Sequence, residues 1–192
     1  MSNSTRTPLL IAGGGLLIGL AVGLIVLFGL PTPGEVSITA PRGPGTPEVI
    51  GASPYTGAVA PDFKLQDLGG NTITLADAKG HPLLINFWAT WCVPCRIEMP
   101  AIESRYQSLK SKGLLVYAID DAESKDVVQA YVESLDLTFT ILLDPDSAVN
   151  DLYQIRGYPT SFFIDGDGQI WVIHIGAMTE AQLDDNLSKI MP

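Results

Sequence analysis

Pro82-Leu83-Leu84-Ile85-Asn86-Phe87-Trp88-Ala89-Thr90-Trp91-Cys92-Val93-Pro94-Cys95 runs from a largely apolar stretch directly into a C-x-x-C pair. Leu83–Trp88 carries apolar side chains at both parities of its alternation, as a strand buried on both faces of a sheet does. Beyond the cysteines, Met99, Ile102, Tyr106 and Leu109 recur at spacings of three and four, the period of an amphipathic helix. Lys110-Ser111-Lys112-Gly113 then supplies a helix stop. A strand that hands two thiols to the first turn of a helix predicts a dithiol/disulfide redox site.

The chemistry follows from the position of the thiols. A free cysteine, with a pKa near ~8.5, is mostly protonated at neutral pH, and only its thiolate attacks a disulfide. Cys92 is expected at the helix N-terminus, where unpaired N–H groups and the macrodipole favour negative charge. Cys92 is therefore the predicted nucleophile, and Cys95, one turn further in, the more buried resolving thiol. Pro94 suits the first helical turn, where its missing N–H has no intrahelical partner. A zinc site would need about four Cys/His ligands. Cys92 and Cys95 are the only cysteines in 192 residues, and His81 and His174 stand alone. A bridge across two residues closes too small a loop to act mainly as a stabilising staple.

At this point the sequence resembles a known family. Asn86 through Pro100, reading NFWATWCVPCRIEMP, is similar to the active-site stretch of the membrane-anchored TlpA/ResA-type thioredoxin-like thiol-disulfide oxidoreductases. Ala60-Pro61-Asp62-Phe63, Gly157-Tyr158-Pro159-Thr160 and Phe163-Ile164-Asp165-Gly166-Asp167-Gly168 resemble three further family stretches, in the family's order. The resemblance covers about residues 58–192. It implies that Cys92 and Cys95 form the redox-active pair and that Pro159 is a cis proline packed against them. It also implies that Trp91, Val93, Pro94, Tyr158 and Pro159 are the substrate contacts. Asn86 stands where thioredoxin itself carries a buried acid, and an amide cannot accept a proton from the resolving cysteine. Glu98, three residues beyond Cys95, lies on nearly the same helix face. It matches a glutamate that the family places beside the site, which implies a role in proton transfer. Read without the resemblance, it would be a solvated first-turn acid.

The elements around the motif predict an α/β thioredoxin fold, a βαβ unit followed by ββα around a mixed sheet, with an N-terminal hairpin extension. Phe63–Leu68 and Thr72–Leu75 flank the turn signal Gly69-Gly70. Leu114–Ile119 is the next strand, parallel to the first. A helix follows with Val127, Val128, Tyr131 and Leu135 turned inward. Phe139–Leu143 is a short strand or extended stretch, and Ala148–Ile155 a short helix. Thr160–Ile164 and Ile170–Ile175 form a hairpin, and a capping box at Thr179-Glu180-Ala181-Gln182 opens the last helix. Trp88 and Trp171 read as core, Trp91 as a surface residue beside Cys92.

Four regions are expected: a cytoplasmic tail over 1–8, a transmembrane signal anchor over 9–30 with a cleaved signal peptide as the alternative reading, a Pro/Gly-rich linker over 31–57 and the redox domain over 58–192. Leu9–Leu30 is 22 residues without charge or proline. As a helix it would span about 33 Å, enough for a hydrocarbon core of ~30 Å. Arg6 precedes it and Glu35 follows it, which places the N-terminus inside and the domain in the extracytoplasmic space of a bacterial membrane. Without Arg6, Arg42, Glu35 and Glu48 the domain holds 9 basic and 19 acidic side chains, a balance that disfavours nucleic acid as a partner. No cofactor or metal is expected.

The resemblance implies protein disulfides as substrates, apocytochrome c or copper-site cysteines among them, and a membrane electron-relay protein as reductant. Two other readings use the same residues. A copper-handling thiol chaperone would bind Cu(I) through both thiolates, but no Met/His cluster accompanies them. A peroxiredoxin-like peroxidase would need P-x-x-x-T-x-x-C, whereas Thr90 is two residues before Cys92.

Overall fold

The computed structural model describes residues 54–192. The expected tail and membrane anchor, and all but the last residues of the linker, lie outside the described residues. Seven strands form one mixed sheet, β1 (Lys64–Asp67), β2 (Thr72–Thr74), β3 (Leu83–Trp88), β4 (Leu115–Asp121), β5 (Thr140–Asp144), β6 (Thr160–Ile164) and β7 (Ile170–Ile175). Their order across the sheet is β2-β1-β5-β4-β3-β6-β7. The helices are α1 (Val93–Leu109), α2 (Lys125–Ser134), α3 (Ala148–Leu152) and α4 (Glu180–Ser188).

All six residues of β3 are buried, as its unbroken apolar character demands. It pairs in parallel with β4, from Leu83↔Leu115 to Trp88↔Asp120, and antiparallel with β6, from Leu83↔Ile164 to Phe87↔Thr160. Alternation sends Leu84, Asn86 and Trp88 to the face covered by α1 and sends Leu83, Ile85 and Phe87 to the other. α1 runs through Pro100, whose side is exposed, and ends before a short 3-10 turn at Gly113. Gly113 has φ 95°, a left-handed conformation that a side chain would strain. The capping box at Thr179 and Gln182 is formed, and Leu183, Leu187 and Ile190 are buried behind it.

One expectation is sharpened and two need correction. Thr140–Asp144 is an interior strand, paired in parallel with β4 and antiparallel with β1, so it joins the β1–β2 pair to the rest of the sheet. Val127 is 49% exposed; Val128 and Val132 carry the buried face of α2, because the helix starts at Lys125 and Val127 falls about 100° off that stripe. Trp171 is 50% exposed on β7, and its indole N–H donates to Asp165 Oδ2 at 2.6 Å. β7 ends the sheet, and beyond the buried Ile170 its residues are only partly covered or exposed.

Candidate active site

The thiol pair sits where β3 ends. Ala89, Thr90 and Trp91 lead from the strand to Cys92, which is the N-cap of α1 with extended backbone angles. Its sulfur accepts the backbone N–H of Cys95 at 3.2 Å, the usual work of a capping side chain. Pro94 occupies the first turn, where no donor is lost. Cys92 and Cys95 are joined as a disulfide, with Cα atoms 5.3 Å apart. Both are buried, Cys95 completely. A disulfide at a helix N-terminus can be opened by an external thiolate that attacks Cys92 and expels Cys95 as a thiolate; a second thiolate then frees Cys92, whose thiolate gains the helix-end field.

The loop before the cysteines is held by a residue with no sequence signal. Glu123 accepts both the backbone N–H and the hydroxyl of Thr90, across 33 positions in the chain. Beneath it Asp120 is fully buried; one oxygen accepts the Glu123 N–H at 3.2 Å and the other has no hydrogen-bond partner among the described residues. Burial, with the neighbouring Glu123 carboxylate adding, pushes the Asp120 carboxyl up to about 8.

Glu98 is 2% exposed, so it is not a solvated first-turn acid. It lies one turn beyond Cys95 on the buried side of α1. One carboxylate oxygen accepts from Asn86 Nδ2 at 2.8 Å and the other from the Met178 N–H at 3.0 Å. Asn86 Nδ2 also donates to Ser161 Oγ at 2.9 Å. Burial outweighs these donors and raises the Glu98 carboxyl from 4.5 to about 7. Asn86 is thus the group that holds the acid in place; its spacing from Glu98 in the chain carried no hint of this contact.

The Tyr158–Pro159 peptide is cis, as the resemblance implied, and Pro159 is buried. Tyr158 meets Trp91 edge to face, with centroids 5.7 Å apart. Trp91 and Val93 are 62% and 63% exposed, and Pro94 is exposed beside them. Trp91, Cys92, Val93, Ile155, Arg156 and Tyr158 are among the walls of a groove of about 760 Å³. The structure therefore brings Trp91, Cys92, Val93, Pro94 and Tyr158 to one surface, with Cys95 and Glu98 beneath it in α1. Ile155, Arg156, Ser161 and Glu123 complete this region and were not singled out from the sequence.

Comparison with known proteins agrees with this geometry. The AhpC/TSA family profile matches residues 56–173. The thiol-disulfide oxidoreductase ResA of Bacillus subtilis (strain 168) is 38% identical over 136 residues, which cover 71% of this chain and 76% of ResA. The thioredoxin-like protein YneN of the same organism is 44% identical over 134 residues, 68% of this chain and 78% of YneN. A crystal structure of a thiol:disulfide interchange protein of the thioredoxin family from Chlorobium tepidum TLS superposes with a TM-score of 0.64 at 26% identity, covering 70% of this chain and 96% of that one. With such identity to ResA and YneN over more than two thirds of its length, and with its two cysteines bonded at the end of a thioredoxin-like strand, the chain belongs to the ResA-type thiol-disulfide oxidoreductases of the AhpC/TSA family.

Proposed function

We propose that this protein reduces disulfides of extracytoplasmic proteins, held to the membrane by the apolar segment Leu9–Leu30 and a Pro/Gly-rich linker. The observation that carries the redox part is the Cys92–Cys95 disulfide capping α1 above the buried Glu98. In the reduced protein the Cys92 thiolate attacks a substrate sulfur, forms a mixed disulfide and releases one substrate thiolate. Cys95 then loses its proton, attacks the Cys92 sulfur and releases the second substrate thiolate. Two electrons pass to the substrate and the Cys92–Cys95 bond closes. Glu98, with a carboxyl raised to about 7, is poised to take the Cys95 proton near neutral pH. Tyr158 and the cis Pro159 form the wall against which the substrate strand lies, with Trp91, Val93 and Pro94 opposite. A membrane electron-relay protein restores the dithiol. Apocytochrome c and copper-site cysteines are the substrate classes that suit such a reductant.

The direct test is capture. A Cys95→Ala variant cannot resolve its Cys92 mixed disulfide, so substrates should accumulate covalently on it in cells, and a Cys92→Ser variant should capture none. Equal capture by Cys92→Ser, or failure of the reduced wild type to reduce any protein disulfide, refutes the reading. A reporter fused after Pro192 should be active only outside the cytoplasm; cytoplasmic activity would overturn the proposed orientation.

A further inference from the structure

Asn150 is 4% exposed, far from the cysteines in sequence and without any part in the dithiol chemistry. Its side chain nevertheless touches Tyr158, one wall of the groove beside Cys92. The Tyr158 hydroxyl donates to Asn150 Oδ1 at 2.9 Å, and Asn150 Nδ2 donates to Asp144 Oδ2 at 2.9 Å. That same Asp144 oxygen accepts the backbone N–H groups of Val149 and Asn150, at 3.0 and 2.9 Å. Asp144 ends β5, so the chain of contacts runs from an interior strand of the sheet to the ring that precedes Pro159. Burial holds the Tyr158 hydroxyl well above its ordinary range, with Asp121, Asp144 and Asp120 adding to the effect, so it stays a donor across the working pH range.

The consequence is mechanical. An aromatic side chain ahead of a proline has two torsions to lose, and a ring at a groove edge would ordinarily sample several rotamers. Here the hydroxyl is pinned at one end and the ring is packed edge-on against Trp91 at the other. The two rings become a fixed apolar wall beside Cys92. Val93 and Ile155 extend it, and among the described residues Arg156 is the one charged side chain lining the groove.

We propose that Asn150 is a positioning residue that acts through the Tyr158 hydroxyl, and that the aromatic wall it fixes selects protein disulfides whose target cysteine is flanked by an aliphatic or aromatic residue. This rests on the reductant reading above and deepens it. A pre-formed wall binds an apolar neighbour without paying to order the ring first, whereas a small polar neighbour gains nothing from it.

The test compares two peptide disulfides that differ only in the residue beside the cysteine, Leu or Ser, together with the small reagent 5,5′-dithiobis(2-nitrobenzoate). The reduced wild type should favour the Leu peptide by about tenfold in kcat/KM, a difference within reach of an apolar pocket. Tyr158→Phe keeps the ring and removes the link, so it should lower that preference about fivefold, mainly through a higher KM. Asn150→Ala should do the same, and Asp144 keeps both backbone donors in that variant. The double variant should be no worse than either single one, because both cut the same contact. The proposal is overturned if Tyr158→Phe keeps the full preference, if the two losses multiply, or if each variant loses as much with the small reagent as with the Leu peptide. Failure of the wild type to reduce the small reagent and both peptides would instead refute the reductant reading, which separates the two failures.

Discussion

The two faces of the central sheet are built from the same strands but serve different ends. On one face Phe63, Phe87, Tyr117, Tyr153 and Phe162 form a web of edge-on and tilted ring contacts, with centroids 5.1–6.5 Å apart. The polar end of Tyr153 is satisfied there, its hydroxyl donating to the Pro61 carbonyl at 2.7 Å. The other face is apolar over most of its area, but at the end near the cysteines it buries Asn86, Glu98, Asp120 and Ser161. Trp88 Nε1, Tyr131 OH, Asn86 Oδ1 and Asp120 Oδ2 have no hydrogen-bond partner among the described residues. Buried polar groups of this kind reduce stability. The fold concentrates them where a thiol must exchange a proton, and the aromatic face offsets the cost.

The largest effect that would sharpen this comparison is on the aromatic face. Phe162→Ala leaves a cavity among Phe87 and Tyr153 and should lower stability by about 3–5 kcal/mol. Urea unfolding measures it, and the alkylation rate of Cys92 in the reduced protein should stay as in the wild type. A changed thiol reactivity would mean that the two faces are not independent.

The second effect belongs to the polar face and depends on pH. The Glu98 carboxyl is raised from 4.5 to about 7, so between those values the folded state keeps a proton that the unfolded chain has lost. Stability is then greatest below the unfolded value and falls as pH rises toward about 7. At about 1.4 kcal/mol per unit, the fall is on the order of 3 kcal/mol at most. Glu98→Gln should remove this part of the decline. What remains up to about pH 8 should disappear in Asp120→Asn, since the Asp120 carboxyl is raised to about 8 for the same reason, burial. Parallel stability–pH curves for wild type and Glu98→Gln would break the assignment. In the reduced protein, Glu98→Gln should also slow disulfide reduction and simplify the titration of the two thiols, which the pH dependence of alkylation reports.

The smallest effect lies outside both faces. Arg105, its side chain partly buried, bridges α1 to α4 through the exposed Glu180 and Asp184. Arg105→Ala should shift the urea midpoint less than either change above, and the shift should fade at about 1 M salt, where exposed charges are screened. A large, salt-independent loss would show that these two ion pairs do the work here assigned to buried packing.

How much of this was legible beforehand differs from element to element. β3, β6 and β7 occur over the residues expected for them, because their strands carry strong local patterns and clear turns. Val127 and Trp171 were misplaced, since one residue of phase decides which side of a helix is buried and edge position decides whether a strand residue is covered. β5 read as a minor stretch because its interior place depends on β1 pairing along its other edge, and β1 lies more than seventy residues earlier in the chain.

The candidate site divides along the same line. The chain by itself determined the redox pair, since strand pattern, C-x-x-C spacing and helix period all lie within about thirty consecutive residues and depend on local geometry alone. It also placed Glu98 on the face of Cys95, because helical periodicity extends one turn without help from the rest of the fold. Only the tertiary structure decided that Glu98 is buried, that Asn86 and the Met178 N–H hold it, that Glu123 secures Thr90, and that Asn150, held by Asp144, reaches Tyr158. The Asn86, Met178 and Glu123 contacts join residues 12 to 80 positions apart, and a carboxyl's proton affinity depends on what surrounds it. Those surroundings do not exist until the sheet has brought its strands together.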